Sequence, residues 1–444
     1  MSDTKPKHTQ LKRQVGVWGA VFMGLGAMVG TGVFVSIGIA AGLAGPSVLL
    51  AIVIAAGVAT CNGLSSAQLA AAHPVSGGTY EYGYKYLTPQ LGFTAGWMFL
   101  VAKSASAATA TLGVSVYFGN LVGSPASAGT LVAVIVLILM TALVIMGIKR
   151  SNQANIAIVS ITLFSLLAFI VVGGLSLMKR NADIGEPSAL WGNFGVMGYR
   201  NEGFLQAIAL MFVAYTGYGR IATLGEEVKE PAITIPRAVI ATMLVTATLY
   251  LCVAYVAIGL EGPGGLALGE HGNLAPLFAA AGSLDSAWLA SVMAVGAVTA
   301  MLGVLLNLIL GLSRVLLAMG RRQDAPAVFA QVHASLSTPV PSVIGVCVII
   351  LIFALLGDIK LAWSFSAFTV LIYYSITNLA ALKQPPEERR YPKIIQIVGL
   401  SSCLFLAFQV DARTWQIGIG LILAGLGWHT VARGRRLAKN GKAD

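Results

Sequence analysis

Two cations stand inside apolar runs, where charge is costly. Lys103 lies in Phe99-Leu100-Val101-Ala102-Lys103-Ser104-Ala105-Ser106, and Arg220 follows Tyr215-Thr216-Gly217-Tyr218-Gly219. A charge held at membrane depth costs at least about 3 kcal/mol, and such residues usually face a cavity and mark a pathway. The chemistry open to Lys103 is to bind and release a proton, or to stay charged in place of a coupling cation and so favour exchange. Snorkelling to an interface is the alternative for both side chains. For Arg220 a clamp with Glu226 is a third reading, since six residues span about 9 Å along a helix. The other chemistry is that of backbone. Four glycines fall within Gly24-Leu25-Gly26-Ala27-Met28-Val29-Gly30-Thr31-Gly32-Val33-Phe34, and each costs a helix about 1 kcal/mol relative to alanine. Gly26 and Gly30 suit close helix packing. An unwound segment suits them too, with the amides of Thr31, Gly32 and Val33 turned to a carboxylate and the positive end of a half-helix behind them.

These groups need a scaffold that buries them, and the composition supplies one. Of 444 residues 57% are hydrophobic and 10% charged, with a mean hydropathy of +0.82. Soluble domains run near 25% charged, so a soluble enzyme is excluded, as are a disordered chain and an outer-membrane barrel. Twelve apolar runs follow: 15–42, 47–68, 92–121, 129–148, 153–177, 203–224, 238–260, 286–318, 339–357, 360–382, 394–410 and 414–432. This predicts an all-α polytopic membrane protein with a tail at 1–14, a transmembrane domain at 15–432 and a tail at 433–444. Of the 28 Lys and Arg, alternate loops hold 21 on the side of the termini and 5 on the other, which places both termini in the cytoplasm. The net charge of +11 is thereby topology, and no nucleic-acid partner is expected. The first and sixth runs both carry mid-run glycines. Breaks in the first helix of each five-helix half mark inverted-repeat transporters with a midplane site.

The remaining chemistry reads as structural. Cys61, Cys252, Cys347 and Cys403 lie in apolar runs without paired spacing and read as packing residues. The five histidines have no metal-ligand spacing, and no nucleophile elbow or Walker loop is present. No metal, cofactor or catalytic residue is expected. Trp18, Trp97, Trp191, Trp288 and Trp415 read as interface anchors. The glycines of the last span, Gly418, Gly420, Gly425 and Gly427, would pack a neighbouring span or a dimer partner.

Beyond these local readings, several motifs in order resemble the amino acid–polyamine–organocation superfamily of permeases, and most of all its bacterial branch related to cationic amino acid transporters. They are Gly30-Thr31-Gly32-Val33-Phe34, Ala44-Gly45-Pro46, Ala72-His73-Pro74-Val75-Ser76-Gly77-Gly78-Thr79-Tyr80, Gly96-Trp97, Glu226-Glu227-Val228-Lys229-Glu230-Pro231 and Ser313-Arg314-Val315. The resemblance covers nearly the whole chain. It implies a LeuT-like five-plus-five inverted repeat, 15–177 and 203–382, with extra helices at 394–432. It implies a substrate α-carboxylate at the amides of Thr31 and Gly32, with Gly30 also among the substrate-binding positions. The α-amino group would meet carbonyls near Met28 and near Tyr215 and Thr216, with Gly217 and Tyr218 in the same turn. Ser104 matches a pocket position of relatives.

The chain also departs from that family. Where relatives of the cationic branch carry a third-span glutamate, it has Ala102; where many carry an acid in the sixth-span break, it has Gly219. Thr162 stands where several proton-coupled relatives have a fifth-span lysine, and reads either as a sodium ligand or as a hydroxyl bonded to its own helix. No acidic residue falls at mid-span, so a cationic substrate would lack a buried partner. The expectation is an inner-membrane secondary transporter of neutral amino acids, by proton symport or exchange and with proton or sodium coupling. An acidic substrate is the alternative, given Lys103 and Arg220. A non-transporting amino acid sensor on the same fold, or a channel, are the readings of other classes.

Overall fold

The structure, a computed structural model, describes residues 11–122, 129–184, 201–267, 275–284, 287–356 and 359–440. Trp191, His8, His271 and the two extreme ends of the chain lie outside them. Every regular element among the described residues is a helix, as an apolar chain in lipid requires, because only a helix satisfies its own backbone. Seven helices are long and apolar enough to cross a membrane, or up to eight if Lys393–Ala407 and Ala412–Val431, bent by 113°, form one span. Gly129–Ile145 and Val340–Leu355 are shorter apolar helices. The segment Val17–Ala72 counts once among the seven although its 56 residues would run about 84 Å as helix, which suffices for two crossings.

The elements that build the interior are α1 (Val17–Met28), α2 (Ile37–Ala44), α3 (Val48–Ala72), α4 (Thr79–Tyr86), α5 (Pro89–Val122), α6 (Gly129–Ile145), α7 (Ile148–Ile184) and α8 (Asn201–Tyr215). They continue with α9 (Gly219–Thr223), α10 (Pro231–Leu266), α11 (Pro276–Gly282), α12 (Ala287–Arg321), α13 (Val340–Leu356), α14 (Ile359–Lys383), α15 (Lys393–Ala407) and α16 (Ala412–Asn440). α1 packs against α7, α9, α10 and α12, and α5 packs against α12 and α14. Large apolar side chains on α6, α7, α10 and α16 point outward, among them Leu131, Phe164, Leu244 and Leu423, each more than 60% exposed. Contiguous apolar surface of this kind is stable against lipid and not against water. The chain is a multi-pass membrane protein.

The first run is interrupted as its glycines predict, over a narrower stretch. α1 ends at Met28, Val29 leaves the helical region at φ −78° and ψ 76°, and one wide π-type turn over Gly32–Ser36 leads into α2. The amide of Val33, expected to be free, donates to the Gly30 carbonyl at 3.1 Å, because the chain closes a tight three-residue turn there. Packing and interruption share these glycines. A Cβ on Gly26 would meet the Asn155 and Asn307 side chains, and one on Gly30 would meet Val304 and, at 2.9 Å, the Ala300 carbonyl oxygen. The sixth run tightens rather than unwinds. Tyr215 and Gly219 keep right-handed helical torsions on either side of a single 3-10 turn, Thr216–Tyr218.

Cysteine and glycine placements refine the sequence reading. Cys403 is buried beside Asn62, whereas Cys61, Cys252 and Cys347 are only partly buried; none forms a disulfide. In α16, Gly418 abuts Phe368 and Gly425 abuts Trp97, while nothing lies within 4 Å of a Cβ placed on Gly420 or Gly427. Trp18 and Trp288 are exposed; the Trp97 indole instead donates to the Leu421 carbonyl at 2.9 Å.

Candidate functional site

A small cavity lies where the two interruptions meet. From the first come Ala27, Met28, Thr31 and Gly32, and from the second Thr216, Gly217 and Arg220. α5 adds Lys103 and Ser106, α8 adds Val213 and Ala214, and α12 adds Val304 and Leu308. Close approach of the two interruptions depends on Gly217. A Cβ there would lie 2.5 Å from Met28 Cγ and 2.7 Å from the Ala27 carbonyl carbon.

The expected site residues divide by this geometry. Met28, Thr31, Gly32, Thr216, Gly217, Lys103 and Arg220 line the cavity together. Gly30, Tyr215 and Tyr218 sit behind the lining: Gly30 against α12, Tyr215 with its ring 4.9 Å from Tyr250, and Tyr218 5.2 Å from Tyr374. Ser104 is fully buried, its hydroxyl without a hydrogen-bond partner, and Ser106 is the α5 serine on the cavity wall. Positions 103 and 106 are three apart and share a helix face, whereas 104 is turned about 100° from 103. Thr162 lies away from the cavity. Its hydroxyl is 3.1 Å from the Ile158 carbonyl and 3.0 Å from the Thr299 hydroxyl, so it bridges α7 and α12.

Two tyrosines that nothing in the sequence marks hold the backbone at this site. Tyr250 OH is 2.6 Å from the Met28 carbonyl and 3.1 Å from that of Ala214, and Tyr374 OH donates to the Thr216 carbonyl at 3.0 Å. Met28 and Thr216 are the positions at which the resemblance implies carbonyls for an amino group. Each carbonyl also accepts a backbone bond, Met28 from the Gly30 amide at 2.8 Å and Thr216 from the Gly219 amide, so both of its lone pairs are engaged. The two tyrosines therefore fix the orientation of these carbonyls.

The two cations occupy one wall. Lys103 Nζ donates to the Thr216 hydroxyl at 2.8 Å, and that hydroxyl donates onward to the Val213 carbonyl at 2.7 Å. The Arg220 guanidinium carbon lies 4.9 Å from the Phe99 ring centre. The Glu226 clamp does not form. α9 ends at Thr223 and the chain turns, with Glu227 N on the Leu224 carbonyl, so Glu226 leaves the helix direction on which the 9 Å separation rested. Its carboxylate meets Arg321 at 2.8 Å and the Ser76 amide at 3.1 Å.

That turn belongs to a closed face shared with the start of the chain, where Val15 and Lys229 pair through their backbones. Arg314 holds Glu227 through two hydrogen bonds, 3.0 and 2.7 Å, both side chains at most 1% exposed. Arg322 pairs with Glu81 on α4, and Tyr80 donates to Asp324 at 2.6 Å. Burial pushes the Glu226 carboxyl up, but Arg321 and the Ser76 bond outweigh it and hold the group below the usual carboxylate range. Among the described residues no cluster of His, Cys, Asp and Glu is arranged to hold a metal.

The chain is similar to known transporters over almost all of its length. Residues 19–434 match the family model described as amino acid permease. An uncharacterised transporter of Mycobacterium tuberculosis is 39% identical over 96% of this chain and 92% of its own. The branched-chain amino acid permease BcaP of Bacillus subtilis is 29% identical, covering 95% and 90%. A methylthioribose transporter of the same bacterium is 28% identical, covering 92% and 91%.

Proposed function

The chain belongs to the amino acid permease family, and on that premise we propose that it is a secondary active transporter carrying an amino acid across the cytoplasmic membrane by alternating access. The observation that carries this reading is the cavity between the two interrupted helices. On this reading the amides of Thr31 and Gly32 take the α-carboxylate, and the carbonyls of Met28 and Thr216 exchange one of their internal bonds for the ammonium. These match the two charges common to every amino acid without using a charged side chain.

On this reading the twelve apolar runs are twelve spans, arranged as two five-helix repeats and two further helices. The interruptions at Val29–Thr31 and Thr216–Tyr218 fall in the first span of each half. The distribution of Lys and Arg sets both termini in the cytoplasm, so the closed face is the inner one. Substrate binding would let the interrupted helices move against α5 and α12.

Coupling turns on Lys103. As a fixed charge it occupies the cavity in place of a coupling ion and favours exchange; as a proton carrier it supports symport. The lining holds no Asp or Glu, which disfavours a cationic side chain and leaves a neutral or an acidic one.

The full-length protein reconstituted in liposomes tests this reading. Labelled amino acid should enter saturably, and faster when the vesicles hold unlabelled amino acid. Conductance without saturation would instead indicate a channel. Binding without any flux would indicate a sensor.

A further inference from the structure

The cavity carries more positive charge than an amino acid backbone requires. Lys103 and Arg220 are 4% and 2% exposed and line it together. No acid lines the cavity, and the two that follow α9 are committed elsewhere, Glu227 to Arg314 and the partly buried Glu226 to Arg321. An ammonium has three protons to donate; the Thr216 hydroxyl accepts one and spends its own proton on Val213. Arg220 is less satisfied still. Its Nε and Nη1 are buried without any hydrogen-bond partner, and its guanidinium rests on the Phe99 ring. Gly311 admits it, since a Cβ there would lie 3.0 Å from Nη1 and 2.8 Å from Cδ. Buried donors without acceptors are strongly unfavourable, and here they belong to the cations of one cavity. A ligand that brings acceptors completes them.

We propose that the cavity selects an amino acid with a second carboxylate, glutamate or aspartate, whose side-chain carboxylate is received by Arg220 and Lys103. This deepens the transporter reading and rests on it. The α-carboxylate takes the amides at Thr31 and Gly32, and the side-chain carboxylate takes the cationic wall. A neutral amino acid leaves both cations uncompensated, and a cationic one adds to them. A second carboxylate supplies the lone pairs that a guanidinium binds in its planar fork.

The test is uptake into liposomes holding the full-length protein, with labelled glutamate, aspartate, glutamine, leucine, arginine and succinate. Melting of the purified protein with each compound runs beside it. Glutamate or aspartate should give the largest kcat/KM and the largest stabilisation. Arg220→Gln should lower kcat/KM for glutamate by about 10- to 100-fold, the loss expected for a charge-assisted hydrogen bond. The same variant should shift preference toward glutamine, a change that general misfolding would not produce, and Arg220→Lys should retain the acidic preference. Saturable uptake of leucine or glutamine without glutamate or aspartate overturns this proposal and leaves the transporter reading standing. Succinate carried as well as glutamate also overturns it, by removing the need for the amino group. Uptake and stabilisation by none of the compounds overturns both readings. The unsubstituted protein decides the question whether or not Arg220→Gln folds.

Discussion

Lys103 shows how one side chain sets the character of a site. Its amine is held by Thr216, a residue of the interrupted sixth run, so α5 and that run are tied through a single hydrogen bond. If the charge is fixed, the empty carrier must reorient with it uncompensated. Lys103→Met should then raise net uptake relative to exchange by about tenfold, equivalent to about 1.4 kcal/mol of barrier; Lys103→Arg should keep the original ratio. Comparing vesicles with and without internal substrate measures this, and an unchanged ratio in Lys103→Met removes the role. Gly217 makes the same point through shape. Alanine there meets the Ala27 and Met28 backbone, whereas nothing lies within 4 Å of a Cβ on Gly57. Gly217→Ala should abolish uptake and lower the melting temperature, by about 1–3 kcal/mol of overpacking, while Gly57→Ala should leave uptake intact.

At the scale of elements, the link between α9 and α10 is pinned to α12 by two ion pairs of different depth. Glu227 and Arg314 are fully enclosed. Removing one partner of such a pair costs about 3–5 kcal/mol, because the other charge is left buried alone. Glu227→Ala should therefore melt well below the parent, and Glu227→Ala with Arg314→Met should recover much of the difference, as thermal unfolding in detergent would show. The half-buried pair Glu226–Arg321 reports on acid. Its depressed carboxyl is ionised in the folded state at a pH where the unfolded one, near 4.5, is protonated. Its contribution is complete above about pH 5 and is lost as pH falls through the lower folded value. Melting temperature should hold steady from pH 7 to 5 and fall below 4.5, and Glu226→Gln should flatten that fall.

The molecule as a whole is closed on the face where the chain begins. α4 lies across it, tied to the segment that follows α12 by Glu81–Arg322 and by Tyr80–Asp324. On the proposed alternating-access reading this face would have to open, and these contacts would break in each cycle. A cysteine at Ser106, on the cavity wall, should react slowly with a charged thiol reagent applied from this side. Glu81→Arg should speed that reaction several-fold, and adding Arg322→Glu should slow it again; equal rates in all three would mean the pair does not gate.

How much of this the sequence could convey depends on the range of the interaction involved. Hydrophobic runs, loop charge and glycine positions are local, so the sequence by itself determined an all-helical membrane protein, its permease resemblance and the places where two helices are interrupted. It also singled out Lys103 and Arg220, because charge within an apolar run needs no partner to be conspicuous. Partnerships were not legible. Glu226 lay a plausible helical distance from Arg220, yet the helix ends before it and the carboxylate turns to Arg321. Tyr250 and Tyr374 carry no local signal and meet Met28 and Thr216 only because distant helices cross there. Ser106 rather than Ser104 reached the cavity because helix rotation about α5 decides which serine faces inward. The tertiary structure alone placed both cations on one wall without a carboxylate. Burial and hydrogen bonding between residues more than a hundred positions apart are properties of the packed bundle, not of any stretch of chain.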